Sequence, residues 1–271
     1  PNINQAEKWK RDKMMGHFER MIALSMPDGT EDETTFIIWP ETATSYLFLD
    51  NEYALTQLRD VLGAYEENVY LITGALLRDE DGAPSNSMIV LDKNARIIKR
   101  YDKSHLVPFG EYIPFQKYIP IETVSGFSGF KRGDGATTIS LEEDFSLSPL
   151  ICYEILFPSH VVDRKNPSNA IINLTNDGWY GKSAGPHQHL LKAQFRAIEE
   201  GIPVIRVANT GFSTIIDPYG RITYKTELFK ESTAAKNIPV KIAPFKKSGY
   251  ISSYILLILT VLLLFMCKRF D

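Results

Sequence analysis

Two cysteines, Cys152 and Cys267, are all the thiols in 271 residues, too few for a disulfide framework. Cys267 sits in an apolar terminal run, so Cys152 is expected to be a free thiol in any redox compartment. Surplus positive charge is also missing. The net charge is −3 and the pI about 6.0, which leaves no basic footprint for nucleic acid. The chain has no internal repeat and no low-complexity tract, which excludes solenoids and polar arrays. Gly126-Phe127-Ser128-Gly129 is not a serine-hydrolase elbow either, because it lacks the G-x-S-x-G spacing. His187 and His189, two positions apart on an expected helix, point to different faces and predict no shared metal. No cofactor is expected. Asn173-Leu174-Thr175 matches a glycosylation sequon but falls in an apolar strand and is discounted. The chain starts at Pro1 without Met or signal peptide, as expected of a processed chain or a piece of a longer one.

What is present is organised around Leu150-Ile151-Cys152-Tyr153-Glu154-Ile155. An apolar strand ends at the thiol, and a helical pattern starts near Glu154 and runs toward Asp163. A thiol at such a junction lies near helix N–H groups that favour a thiolate and a neighbouring oxyanion. The competing reading is a small core hydrophobe, the usual fate of a lone buried cysteine. Two upstream stretches weigh against it. The strand in Phe36-Ile37-Ile38-Trp39-Pro40-Glu41 delivers a carboxylate at its C-terminal end, where open α/β sheets place their chemistry. The strand containing Ile97 and Ile98 runs into Lys103. A thiol with an ordinary pKa near 8.5 is only a few per cent thiolate at neutral pH and needs a base. Glu41 can take its proton, and Lys103 can pair with the oxyanion of a tetrahedral intermediate.

The remaining pattern alternates helices and strands. Residues 4–25 carry Trp9, Met14, Phe18, Met21 and Ile22 at helical spacing, and residues 52–66 form a second amphipathic helix. Strands are expected over 36–39, 69–77, 87–91, 97–101, 147–151, 170–174 and 203–208, with a hairpin over 213–226 and a helix over 186–200. Between residues 103 and 132 periodicity stops, while Phe109, Tyr112, Phe115, Tyr118, Phe127 and Phe130 accumulate. That is either one wall of an apolar substrate site or a lid packed on its own side chains. Ile251 to Cys267 is seventeen residues without a charge, flanked by Lys246-Lys247 and Lys268-Arg269. It reads as a short membrane helix over 250–268. The basic pairs at both ends leave its orientation open.

The Glu-Lys-Cys order, carried by Trp39-Pro40-Glu41-Thr42-Ala43, His105-Leu106-Val107-Pro108-Phe109-Gly110-Glu111-Tyr112 and Cys152-Tyr153-Glu154, resembles the nitrilase (carbon–nitrogen hydrolase) superfamily. Together with Thr175-Asn176-Asp177-Gly178-Trp179-Tyr180 and Ala208-Asn209-Thr210-Gly211, the wording resembles the apolipoprotein N-acyltransferase family within it. The resemblance implies a four-layer α-β-β-α sandwich over residues 1–245, its first strand largely missing, followed by a single C-terminal transmembrane helix. It implies catalysis by Glu41, Lys103 and Cys152, with Glu111, Tyr153 and Glu154 in supporting or substrate-contacting roles. Glu154 could equally cap the helix opening there, and Glu111 could hold Lys103 as an ammonium. Trp39 and Trp179 are as fit to pack as to touch substrate. The implied reaction moves an acyl chain from a phospholipid through a Cys152 thioester to the N-terminal amine of a diacylglyceryl lipoprotein. The implied place is the outer side of the bacterial cytoplasmic membrane, behind a bundle of membrane helices that this chain lacks. An amidase or nitrilase using the same three residues is the alternative.

Overall fold

The computed structural model describes residues 1–27, 34–43, 48–49, 51–79, 82–114, 129–238 and 255–260. Within them two sheets face each other. The first has strand order β1-β2-β3-β4, formed by Thr35–Ile38, Val69–Arg78, Pro84–Leu91 and Ile97–Asp102. The second has the order β10-β9-β8-β7-β6-β5. Its strands are β5 Ile139–Glu142, β6 Phe145–Ile151, β7 Ala170–Asn176, β8 Val204–Asn209, β9 Thr214–Ile216 and β10 Ile222–Lys225. β1 runs parallel to β2, and β6, β7 and β8 run parallel to one another. The remaining pairings are antiparallel.

Three apolar clusters define the layers. Leu58, Val61 and Leu62 of α2 (Glu52–Gly63) pack with Phe18, Met21 and Ile22 of α1 (Arg11–Ala23) on the outer face of the first sheet, against Leu71, Ile89 and Leu91. Ile72, Met88 and Val90 meet Leu147, Ile151, Ile172 and Leu174 between the sheets. Leu190, Ala193 and Ala197 of α3 (Gly185–Glu200) cover the outer face of the second sheet. The alternation of inward and outward residues along strands such as Ile171/Ile172 feeds two cores at once, as strands buried on both faces require. The result is the expected α-β-β-α sandwich.

Several boundaries differ from those the sequence predicts. The first helix begins at Arg11, leaving Trp9 outside it and exposed. β5 has no counterpart among the predicted strands. The helix expected from Glu154 toward Asp163 is a single 3-10 turn, Cys152–Leu156. Phe157, which precedes Pro158, is extended at φ −96° and ψ 102°, because a residue before proline is excluded from the α region. Of the span expected to cross a membrane, only 255–260 lies within the described residues, as exposed helix. Among the described residues no helix is long and apolar enough to cross a membrane.

One glycine sets the approach of the Glu41–Thr42 turn to its sheet. A Cβ on Gly74 of β2 would lie 2.5 Å from the backbone nitrogen of Thr42 and 2.6 Å from the Cα of Glu41. Backbone cannot yield as a side chain does, so Gly74→Ala is expected to lower stability by about 2 kcal/mol, a Tm drop of roughly 5 °C. Thermal unfolding checks it. An unchanged Tm would mean that the turn moves away freely.

Candidate active site

Glu41, Lys103 and Cys152 each sit just beyond the C-terminal end of a strand: β1, β4 and β6. The facing of the two sheets brings these ends together. Lys103 is 1% exposed, and its Nζ donates to Glu111 Oε1 at 2.8 Å and to Glu41 Oε1 at 3.4 Å. Burial works against its charge, but Glu41, Glu111 and the Cys152 sulfur outweigh it and hold the ammonium well above the ordinary lysine value. Asn86 of β3 donates its amide to both carboxylates, at 2.9 Å to Glu41 Oε1 and 3.2 Å to Glu111 Oε1. Glu111 Oε2 accepts from the N–H of Val107 at 2.8 Å, which ties the 107–112 turn to the site. On the outside of that turn Phe109 and Tyr112 are exposed. Phe115, Tyr118 and Phe127 of the expected aromatic wall lie outside the described residues.

Cys152 stands at φ +48°, a left-handed backbone that a non-glycine residue keeps only when its surroundings dictate it. Burial first, and Glu41 second, push its thiol up to about 12, while Lys103, the Thr175 hydroxyl and the N–H of Asn176 pull the other way. The sequence pointed to a thiolate favoured by a helix terminus. The structure instead presents a neutral thiol, because one 3-10 turn supplies little dipole while burial and the Glu41 carboxylate disfavour the charged form.

Glu154 binds two parts of the site together. Its Oε1 accepts from the hydroxyl of Tyr101 at 2.8 Å and from the backbone N–H groups of Ser104 at 2.8 Å and His105 at 2.9 Å. Its Oε2 accepts from the N–H of Ile151 at 2.8 Å. It therefore caps the 3-10 turn and also locks the segment after Lys103 against the strand that ends at Cys152. Tyr153 sets its ring edge-on to Phe157 at 4.9 Å. Trp39 is buried in the outer core, its Nε1 donating to Ser25 at 2.8 Å. Trp179 is 71% exposed.

A second polar group underlies Cys152. Arg206 of β8 pairs with Asp177 through Nη2 at 2.9 and 2.8 Å and donates Nη1 to Asn173 at 2.7 Å, all of them buried. His189 of α3 places Nδ1 2.9 Å from Asp177 Oδ1 and Nε2 3.1 Å from the carbonyl oxygen of Cys152. Burial and the Arg206 cation keep His189 below the ordinary histidine value, hence neutral near pH 7. A carbonyl only accepts, so Nε2 donates to Cys152, while Nδ1 lies between Asp177 Oδ1 and Arg206 Nη2, the latter 3.1 Å away. The pair has the look of a catalytic His–Asp dyad but is aimed at the backbone of Cys152 rather than its sulfur, so it holds the strained residue in place. Among the described residues no group of three or more His, Cys, Asp or Glu side chains is arranged to hold a metal ion.

Residues 2–247 match the carbon-nitrogen hydrolase family. The chain belongs to the carbon–nitrogen hydrolase family. It is 37% identical to the apolipoprotein N-acyltransferase of Brucella melitensis biotype 1, over 97% of this chain and 51% of that protein. It is 40% identical to the protein of the same name from Rhizobium rhizogenes, over 80% and 43%. The chain thus spans about half the length of the curated relatives it matches. Among solved structures, a glutamine-dependent NAD+ synthetase from Acinetobacter baumannii superposes with a TM-score of 0.58 at 18% identity, over 81% of this chain and 41% of that one. An amidase from Nesterenkonia sp. AN1 does so with a TM-score of 0.56 at 16% identity, over 79% and 84%. At such identities the likeness speaks for the carbon–nitrogen hydrolase fold alone.

Sequence reasoning gave Asn86 and Arg206 no part, carried Asp177 only within a longer stretch, and weighed His189 only as a metal ligand. A signal for some of them existed. Asn173 and Arg206 are register partners in the middle of otherwise apolar strands, and a buried arginine requires an acid. The site also yields a titration. Because Glu41 is the largest charged contributor holding the thiol up, Glu41→Gln should let Cys152 titrate lower, by roughly one unit or more. The rate of iodoacetamide alkylation at Cys152 from about pH 7 to about pH 11 measures the thiolate fraction. A variant profile identical to wild type would show that Glu41 does not reach the sulfur.

Proposed function

We propose that this chain carries the catalytic domain of an apolipoprotein N-acyltransferase, with Cys152 as nucleophile, Glu41 as base and Lys103 as oxyanion partner. The observation that carries the reading is the buried Glu41–Lys103–Glu111 array beside Cys152, in a chain 37% identical to a relative of that name. A thiol pushed up to about 12 is neutral at pH 7, so its proton must leave as the sulfur attacks, which makes a base at hand necessary. Glu41 takes it. The sulfur adds to an ester carbonyl of a phospholipid, and the resulting oxyanion faces the Lys103 ammonium. Collapse expels the lysophospholipid oxygen, which receives the proton back from Glu41, and leaves a thioester. The amine of a diacylglyceryl-cysteine then attacks. Roughly a tenth of such an α-amine is already neutral at pH 7. Glu41 takes its remaining surplus proton and returns it to the departing sulfur. Lys103 is kept cationic throughout by the pair of carboxylates, while Glu154 and Asn86 fix the geometry. An amidase would use the same three groups, but the relatives by sequence favour the transferase.

The same proposal places the domain on the outer side of the cytoplasmic membrane, with residues 250–268 as a membrane helix and residues 1–245 as the catalytic unit. The exposed aromatics Phe109 and Tyr112, on the turn that bears Glu111, suit a lipid-facing entrance.

Cys152→Ala should abolish acyl transfer from a labelled phospholipid and Cys152→Ser should retain little, since a hydroxyl is far less acidic than a thiol. Lys103→Met should slow thioester formation and breakdown alike, each by about two to three orders of magnitude. Near-normal transfer in Cys152→Ala would eliminate the nucleophile assignment. Removal of residues 250–271 should release the domain from alkaline-washed membranes, and full retention would place the anchor elsewhere.

A further inference from the structure

Lys8 is a second buried lysine at this site, and the mechanism above gives it no part. It is 6% exposed. Its Nζ donates to the backbone oxygen of Glu41 at 3.0 Å and to Thr42 Oγ1 at 2.6 Å. Both acceptors belong to one turn, and that turn is strained: Thr42, a β-branched residue, sits at φ +46°. The segment bearing Lys8 is itself pinned to the strand ends around Cys152. Ile3 exchanges two backbone hydrogen bonds with the side chain of Asn209, and Gln5 accepts from Asn176, whose own N–H reaches the Cys152 thiol. Lys8 also stands in the wall of a cavity of about 380 Å³ lined by Met14, Met15, Phe18 and Phe48, beside Thr42.

Charge points the same way. Glu41 and Glu111 bring two formal negative charges into a buried space where Lys103 supplies one positive charge. Lys8 supplies the second, which spares the site an uncompensated buried charge.

We propose that Lys8 is a positioning residue: its ammonium clamps the Glu41–Thr42 turn in its left-handed form and thereby holds the Glu41 carboxylate where it can take the Cys152 proton. This rests on the assignment of Glu41 as base. Burial lowers Lys8 to about 8, against the opposing pull of Glu41 and Cys152, so the clamp loses its charge just above neutral pH. Glu41 and Cys152 are the ionisable groups that act on it, and Arg11 and His17 of α1 line the same cavity.

The test is the burst of p-nitrophenol from p-nitrophenyl butyrate, read as acylation of Cys152 in the full chain from about pH 6 to about pH 10. In wild type the acylation rate should fall above pH 8, as Lys8 loses its proton. Lys8→Met should acylate roughly tenfold more slowly at pH 7 and lack that alkaline fall. Lys8→Arg should keep the rate within about threefold and also lack the fall, because a guanidinium stays charged. If Lys8→Met matches wild type in rate and alkaline limb while Glu41→Gln is impaired, the clamp is wrong and the base assignment stands. If Glu41→Gln itself matches wild type, the base assignment fails first. Should Lys8→Met not fold, Lys8→Arg decides: an alkaline fall retained there overturns the proposal.

Discussion

A buried ammonium that cannot stand alone organises this protein. Lys103 is all but sealed from water, and an isolated lysine so placed would give up its proton. It keeps it because Glu41 arrives from β1 and Glu111 from the turn after β4, each within reach of its Nζ. Those carboxylates in turn need donors, and Asn86 serves both. Satisfying one charge thus commits three strands and one loop to a single geometry. Such an arrangement is a poor way to gain stability, since apolar side chains of equal volume would serve as well or better. The proposed chemistry accounts for its presence.

The neighbouring thiol is governed by the same electrostatics with opposite sign. Where Glu41 raises Lys103, it also raises Cys152, so the sulfur is protonated at neutral pH. A neutral resting thiol resists adventitious oxidation, because the thiolate is the reactive form. The strain at Cys152 is met from below by His189, Asp177 and Arg206, a buried network with no evident partner in the chemistry other than the backbone it supports. Backbone strain at a reactive residue persists only when over-determined in this way.

Glu154 shows how a fold converts sequence proximity into distant contact. Two residues after Cys152, it hydrogen-bonds groups about fifty positions upstream. One carboxylate therefore registers the lysine loop against the cysteine strand. Its other oxygen accepts from the N–H of Ile151 and caps the 3-10 turn, so one side chain serves the turn and the cross-link at once.

The order of strands and helices was legible in the sequence because it is written in local periodicity. Val69–Arg78, Ala170–Asn176 and Gly185–Glu200 fall where apolar patterning put them. The placement of the candidate trio was legible too, since each member follows the end of an expected strand. Two kinds of feature were not. The 154–163 helix failed at Phe157, where a proline veto acts against an otherwise helical pattern. Lys8 and Asn86 meet at Glu41, while His189, Asp177 and Arg206 meet beneath Cys152, each residue from a separate element, and only the buried Asn173–Arg206 pair left a trace in the sequence. Local order and strand-end chemistry were determined by the sequence itself. Which polar groups share a buried space was decided only by the packing of the two sheets, because a charge inside a protein is set by its neighbours in three dimensions.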